Sequence, residues 1–305
     1  MLIDAPLPLR AVPPSGSEPS VGRKGPLRDP WRPGAGLMRA SSTVDAFLAA
    51  AASRLRQPAA ERDGALRFGV DLGTATIVLT TIDASGAPIY WDFVRASVVR
   101  DDVVVDFQGA VRAVAQLKRS AEAALGQVVG AAATAHPPAV PLSDCRACAY
   151  VLQQAGIDCR SLVDEVSAAN AVLAVRDGAV IDVGGGSTGV GVFAGGALRA
   201  ASDRAGGGYH LDLILAGALR IPVDEAEARK RELGADALAI LRPGVERIAE
   251  SIRRQCANVC PGLIHLAGGA LRIQGADAVI EQYLGWRVAS YPHAELITPF
   301  GIARS

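Results

Sequence analysis

The chain has 305 residues, half of them hydrophobic and a fifth charged, with Lys plus Arg equal to Asp plus Glu at 31 each. That length accommodates one large domain or two modest ones, and nothing in the balanced bulk charge points to nucleic acid or an anionic membrane as partner. No apolar run approaches the length needed for a membrane span, and the proline-rich start lacks the continuous hydrophobic stretch of a signal peptide, so a soluble, cytoplasmic protein is expected.

Residues 1–40 hold eight of the 18 prolines among scattered Gly, Ser and Arg, a composition expected to remain disordered. The only methionines are Met1 and Met38, which makes Met38 a candidate translation start. From Ser42, "STVDAFLAAAASRLRQ" places Val44, Phe47, Leu48, Ala51 and Leu55 on one helical stripe, with Ser42 or Thr43 as N-cap. Two readings fit this helix at 42–56: packing on its own domain, or docking a protein client or a component of a larger assembly. "QPAAERDGA" then links it to the globular part, so helix and linker span 41–60.

The globular part begins with "LRFGVDLGTATIVLTTIDASGAPIYWDFV", which reads as strand, turn, strand, turn, strand. "AVIDVGGGSTGVGVFAGGALRAASD" repeats that pattern. Each copy has an aspartate at the end of an apolar strand, Asp71 or Asp182, then glycine two residues later, hydroxyl side chains and a hairpin return. Such a repeat implies two similar lobes. Residues Gly184 to Gly189 also match G-x-G-x-x-G, but a dinucleotide-binding turn must open a helix, whereas "VGVF" continues as a strand. No G-x-x-x-x-G-K-[ST] sequence is present, which excludes a P-loop.

Glycine turns can aim successive backbone N–H groups at one point and cradle an anion, with Thr and Ser hydroxyls adding donors. An aspartate beside each cradle would repel phosphate unless a divalent cation lay between them. Asp71 and Asp182 therefore read as ligands of Mg2+, direct or through water. Five cysteines stand at 145, 148, 159, 256 and 260. Cys145 and Cys148 lie in a helix expected from Ser143 to Gly156, and Cys256 and Cys260 on another; free thiols are the default, with a metal site if the two helices meet. His136, His210, His265 and His293 show no metal-ligand spacing and read as structural.

"FGVDLGTAT", "IDVGGGSTG" and "LIHLAGGALRIQG" resemble, in this order, the two phosphate motifs and the adenosine motif of the actin-like ATPase superfamily, which includes actin, sugar kinases and the seventy-kilodalton heat-shock chaperones. "VVRDDVVVDFQGAVRAVAQLK", "AGGGYHLDLILAGALRI" and "ELITPFGIA" are similar to the J-protein family of ethanolamine-utilisation operons, a compact relative of those chaperones, with coverage from about Leu66 to the C-terminus.

The resemblance implies an α/β actin-like ATPase fold of two ribonuclease-H-like lobes around a nucleotide cleft. Lobe I with its connecting helix would span 66–177, lobe II 178–292, and residues 293–305 would return to lobe I. It implies ATP or ADP with Mg2+, the terminal phosphates meeting Gly73, Thr74 and Ala75 from one lobe and Gly184, Gly185, Gly186, Ser187 and Thr188 from the other. Glu165 would lie near the attacking water, beside Asp71 and Asp182. Gly207 would approach the nucleotide at a helix start, Gly268 and Gly269 would lie under the adenosine, and Glu227 and Lys230 match the pair that contacts the nucleoside; as residues alone, that pair also reads as a surface ion pair. Two departures stand out. The segment after the first hairpin is too short for the subdomain that gives the chaperones a lysine near the terminal phosphate, and Val166 replaces a common proline. The function implied is a nucleotide-driven chaperone-like or assembly factor of a microcompartment-type ethanolamine pathway, with a filament or scaffold homologue, a small-molecule kinase and a lyase-reactivating factor as alternatives.

Overall fold

Apolar runs and their breakers set the order of elements in a computed structural model that describes residues 40–96, 99–100, 103–140, 142–256, 259 and 261–305. These residues belong to one compact unit. The expected disorder of residues 1–40 falls, Ala40 aside, outside the described residues, as do Met38 and Cys260. The first half comprises α1 (Ala40–Ala52), β1 (Arg67–Leu72), β2 (Thr76–Ile82), β3 (Pro88–Arg95), β4 (Val99–Arg100), β5 (Val103–Val104), α2 (Phe107–Leu125), β6 (Ala131–His136), α3 (Leu142–Gln154), β7 (Asp158–Asp164) and α4 (Glu165–Leu173). There follow β8 (Gly178–Val183), β9 (Ser187–Ala194), β10 (Ala197–Ala205), α5 (Gly208–Leu219), α6 (Val223–Leu233), α7 (Ala237–Cys256), β11 (Leu263–Ala267), α8 (Ala276–Leu284), β12 (Arg287–Ala289) and α9 (Ile297–Arg304).

The internal repeat is borne out in topology. One sheet has the order β3-β2-β1-β6-β7 and the other β10-β9-β8-β11-β12. In each, an antiparallel three-stranded meander is extended by two parallel strands. The parallel additions need crossovers, which α2, α3, the α5–α7 group and α8 supply. Central strands covered on both faces read as continuous apolar runs, and every residue of β8, "GAVIDV", is buried. Helix α2 shows how local sequence ends an element: Asp106 caps it by accepting from Gly109 N at 2.8 Å, and Gly126 closes it in the left-handed conformation.

Each sheet packs its helices around its own apolar core. A third cluster joins α1, α4 and α9 to both sheets, through Leu48, Ala51, Ile82, Ala169, Phe193 and Phe300. Helices α4 and α9 cross with backbone contact, because a Cβ at Gly301 would fall inside the Ala168 carbonyl. Thr80 secures α9 from β2 by donating to Pro299 O at 2.8 Å.

Helix α1 already begins at Ala40, so Ser42 and Thr43 lie within it instead of capping it. Its expected stripe faces inward: Val44, Leu48 and Ala51 are buried and Phe47 meets Phe300 edge-on. The intramolecular reading is the one observed, and this stripe is not free to dock a partner. Leu55 lies past the helix and bridges Trp91; the linker tracks the edge of β3, with Arg56 N donating to Trp91 O at 2.9 Å, Trp91 N to Arg54 O at 3.2 Å and Ala59 N to Ile89 O at 2.9 Å. Among the described residues no helix is long and apolar enough to cross a membrane.

Candidate functional site

Strand β8 delivers Asp182 and Val183 to the second glycine turn, and β9 returns with Val183 paired to Thr188. The turn is held from behind. Gly184 O accepts from Gly208 N at 2.9 Å, Gly185 O from Tyr209 N at 2.9 Å, and Gly186 O from Gly206 N at 2.8 Å. In a trans peptide the C=O and the following N–H point in opposite directions, so the N–H groups of Gly185, Gly186 and Ser187 turn away from α5. That is the arrangement of an anion cradle. Thr188 Oγ1 donates to Gly206 O at 2.6 Å, so this hydroxyl ties the turn to the start of α5. At Gly207 a Cβ would collide with the Gly184 carbonyl, and close backbone approach is what requires glycine there. The helix start at Gly207, expected to approach the nucleotide, is instead tied to the turn through the Gly206 and Gly208 N–H groups, and the Gly207 N–H faces His210 Nδ1 at 3.4 Å, which gives His210 a structural role.

The first turn, Gly73 to Ala75, repeats the frame, with Asp71 opposite Val78 and Leu72 opposite Ile77. The two turns meet: a Cβ on Gly185 would lie 3.2 Å from Ala75 Cβ, and one on Gly186 2.8 Å from Thr74 Oγ1. Burial, and then the charge of Asp182, push the Asp71 carboxyl up from 3.8 to about 7. Asp182 is buried; Thr298 Oγ1 donates to its Oδ2, and Gly268, at φ +85°, packs against its Oδ1. The Gly268–Gly269 turn joins the same cluster, as Ala270 N donates to Val183 O at 3.1 Å and a Cβ on Gly208 would rest 3.4 Å from Ala270 Cβ.

Glu165 opens α4, whose N-cap Asp164 accepts from Ser167 N at 2.8 Å. Its neighbour Val166 is buried against Gly191. The Cys148 thiol is pushed up to about 12 by burial first, then by Cys145, Glu165 and Asp71, which puts Glu165 and Asp71 within the field of one side chain. Cys148 and Cys159 pack against the first sheet's core, and Cys145, Cys148, Cys159 and Cys256 form no disulfide with one another. Helix α3 begins one residue before the expected Ser143. Among the described residues no group of three or more His, Cys, Asp or Glu could hold a metal ion.

Lys230 is buried, and its ammonium lies 2.6 Å from Glu227 Oε2 and 2.8 Å from Asp212 Oδ1 on α5, so a simple surface ion pair does not describe it. Burial raises the Asp212 carboxyl despite Lys230. Burial would raise Glu227 as well, but hydrogen bonding and charge from Lys230 and Arg231 hold it below the usual range. A cavity of about 510 Å³ opens beside Gly268, with Leu271, Arg272, Ile273, Tyr291 and His293 in its wall; neither Glu227 nor Lys230 lines it. The groups expected around the nucleoside are thus divided between this wall and α6. Thr298 escaped the sequence reading; its signal was a lone hydroxyl in the apolar run "LITPFGIA".

The doubled meander-plus-parallel sheets, the crossed α4 and α9 and the facing glycine turns define an actin-like ATPase fold. The same fold is seen in the crystal structure of MreB5 of Spiroplasma citri bound to AMPPNP, with a TM-score of 0.64 at 15% identity over 78% of this chain and 95% of that one. It is seen again in a PilM–PilN type IV pilus biogenesis complex, with a TM-score of 0.65 at 15% identity over 80% and 97%. No protein-family model matches. The chain is 35% identical over 256 residues to ethanolamine utilization protein EutJ of Salmonella typhimurium, covering 84% of this chain and 91% of that protein. The crystal structure of EutJ from Carboxydothermus hydrogenoformans matches with a TM-score of 0.82 at 35% identity, over 86% of this chain and 98% of that one. The chain belongs to the EutJ family.

Proposed function

We propose that the chain is an adenine-nucleotide-binding, chaperone-like or assembly factor of an ethanolamine-utilisation pathway, acting in the cytoplasm on a protein client or microcompartment component. The observation that carries the reading is the pair of facing turns, one with three successive N–H groups turned away from α5, and each with an aspartate at its base. In this reading Gly185, Gly186 and Ser187 bind phosphate oxygens from one side and Gly73, Thr74 and Ala75 from the other, while Gly184, whose own N–H donates to Ser187 O at 3.0 Å, keeps the second turn in shape with Thr188 and Gly207. Gly268 and Gly269 border the nucleoside, and Glu227 and Lys230 support it from α6. Glu165 orients water near the terminal phosphate.

The residues fit Mg2+. Asp71 is held near 7 partly by the charge of Asp182, a repulsion that a divalent cation would remove. Two carboxylates without a full cage suit an ion that completes its shell with water and phosphate. Bound there, Mg2+ would neutralise phosphate charge. Phosphate contacts to both turns favour the closed arrangement of the lobes, and loss of the terminal phosphate removes that differential affinity. Binding carries the function more than turnover, because the segment after the first hairpin is too short for the subdomain that gives the chaperones their lysine. The covered stripe of α1 directs a client to another surface.

A thermal-shift titration with Mg2+ and ATP, ADP or NAD tests the reading. A ligand at about 100 times its Kd adds roughly 2.7 kcal/mol to the folded state. Stabilisation by ATP and ADP that is lost in Asp182→Ala is expected; no shift with either, or a shift with NAD alone, would overturn the proposal. A scaffold or filament role is the competing reading. The outer edge of β10, which pairs with no strand among the described residues, favours it, and nucleotide-dependent sedimentation would decide for it.

A further inference from the structure

Asp182 is oriented from outside its own lobe. Its Oδ2 accepts from the hydroxyl of Thr298, a residue only 4% exposed in the first turn of α9. Its Oδ1 lies against Gly268, where a Cβ would approach to 2.5 Å. The carboxylate is therefore bounded on one side by backbone and on another by the Thr298 hydroxyl. Thr298 is itself immobilised. The carbonyl of the next residue, Pro299, accepts from Thr80 Oγ1 at 2.8 Å, a buried bond to the first sheet. Three residues on, Gly301 puts α9 in backbone contact with α4.

We infer that Thr298 is a positioning residue: its hydroxyl holds the Asp182 carboxylate in the orientation that receives Mg2+ with the nucleotide, and so makes metal affinity in the second lobe depend on the seating of α9. The inference rests on the proposed nucleotide reading. The chemistry is that of an outer hydrogen-bond partner, which restrains the rotation of a ligating carboxylate. Loss of such a partner lowers metal affinity by about 10–100-fold in other sites. Thr298 also serves the fold by filling buried space, and the two roles separate by substitution. Thr298→Val keeps the branched shape and removes the donor; Thr298→Ser keeps the donor and removes a methyl.

Calorimetric ADP binding, measured over a range of Mg2+ concentrations and in chelator, distinguishes the outcomes. The expected result is that Thr298→Val requires about ten times more Mg2+ than the parent protein for half-maximal enhancement of ADP affinity, that Thr298→Ser stays within about twofold of it, and that ADP affinity in chelator is unchanged. Thermal stability should follow the other order, with Val at or above Ser. Parent-like Mg2+ dependence in Thr298→Val would overturn the positioning role and leave the nucleotide site standing. Equal loss in Val and Ser would reduce Thr298 to a packing residue. No ADP binding by the parent protein at any Mg2+ concentration would remove the nucleotide reading and this inference together.

Discussion

The two glycine turns share one frame and are held in different ways. Behind the second, three consecutive carbonyls accept from Gly206, Gly208 and Tyr209, so the direction of its N–H groups is set before any ligand arrives. Among the described residues the first turn has no helix start bonded behind it; Ala75 O accepts from Ala96 N at 3.4 Å, and the hairpin's outer edge is covered by the segment around Leu55 and Ala59. The corresponding edge in the other sheet, β10, pairs only with β9 among the described residues. The two copies therefore share the strand–aspartate–turn geometry while their supports differ. One turn is pre-organised by a helix N-terminus, and the other is placed by its sheet and by a segment from outside the repeat.

The largest separation between the turns is expected from Gly207→Ala. Its new Cβ would collide with Gly184 O and come within 3.0 Å of Gly185 O and Ser187 O, forcing α5 off the turn. The loss should be about 2–3 kcal/mol in urea unfolding, against about 1 kcal/mol for Gly73→Ala, whose Cβ would crowd only Thr76 O at 2.9 Å. Equal losses would erase the distinction.

The aspartates should differ next. Asp71 has a folded value near 7 against 3.8 ordinarily. The unfolded chain therefore releases this proton first as pH rises; the resulting penalty on the fold is absent below about pH 4, grows between, and is complete above about pH 7. Asp71→Asn should stabilise the nucleotide-free protein at about pH 8 by roughly 1–2 kcal/mol, allowing for the partial exposure of the side chain, and by little at about pH 4. Asp182→Asn should destabilise at about pH 8, since it disturbs the buried contacts to Thr298 and Gly268. A stabilised Asp182→Asn would contradict the asymmetry.

The smallest effect should come from the covering of β3. Trp91 Nε1 donates to Ala51 O at 2.9 Å, and Trp91→Phe removes that bond at about 1 kcal/mol. Limited proteolysis should then cut near residues 54–60 faster, without altering nucleotide affinity.

Much of this was legible. Asp71 with Gly73 and Asp182 with Gly184 revealed two equivalent strand ends, because hairpin geometry and burial act over a few residues. The refusal of "GGGSTG" to open a helix, read from "VGVF", held in β9. The inward turn of α1 was an open alternative, since periodicity shows an apolar face without showing what covers it. Thr298 and the Asp212–Lys230 pair were missed for a related reason: each joins residues far apart in sequence, 116 and 18 positions, and no local pattern encodes the partner. Gly207 was assigned to the nucleotide from the family resemblance and a glycine run at a helix start, whereas the turn's own carbonyls engage the Gly206 and Gly208 N–H groups.

The most direct test is a crystal structure of the protein grown with ADP and Mg2+. The account predicts diphosphate density between the turns, with oxygens within hydrogen-bonding distance of the Gly185, Gly186 and Ser187 N–H groups and of Thr74, and Mg2+ beside Asp71 and Asp182. Nucleotide bound elsewhere, or turns in unchanged contact with no ligand at saturating ADP, would contradict it.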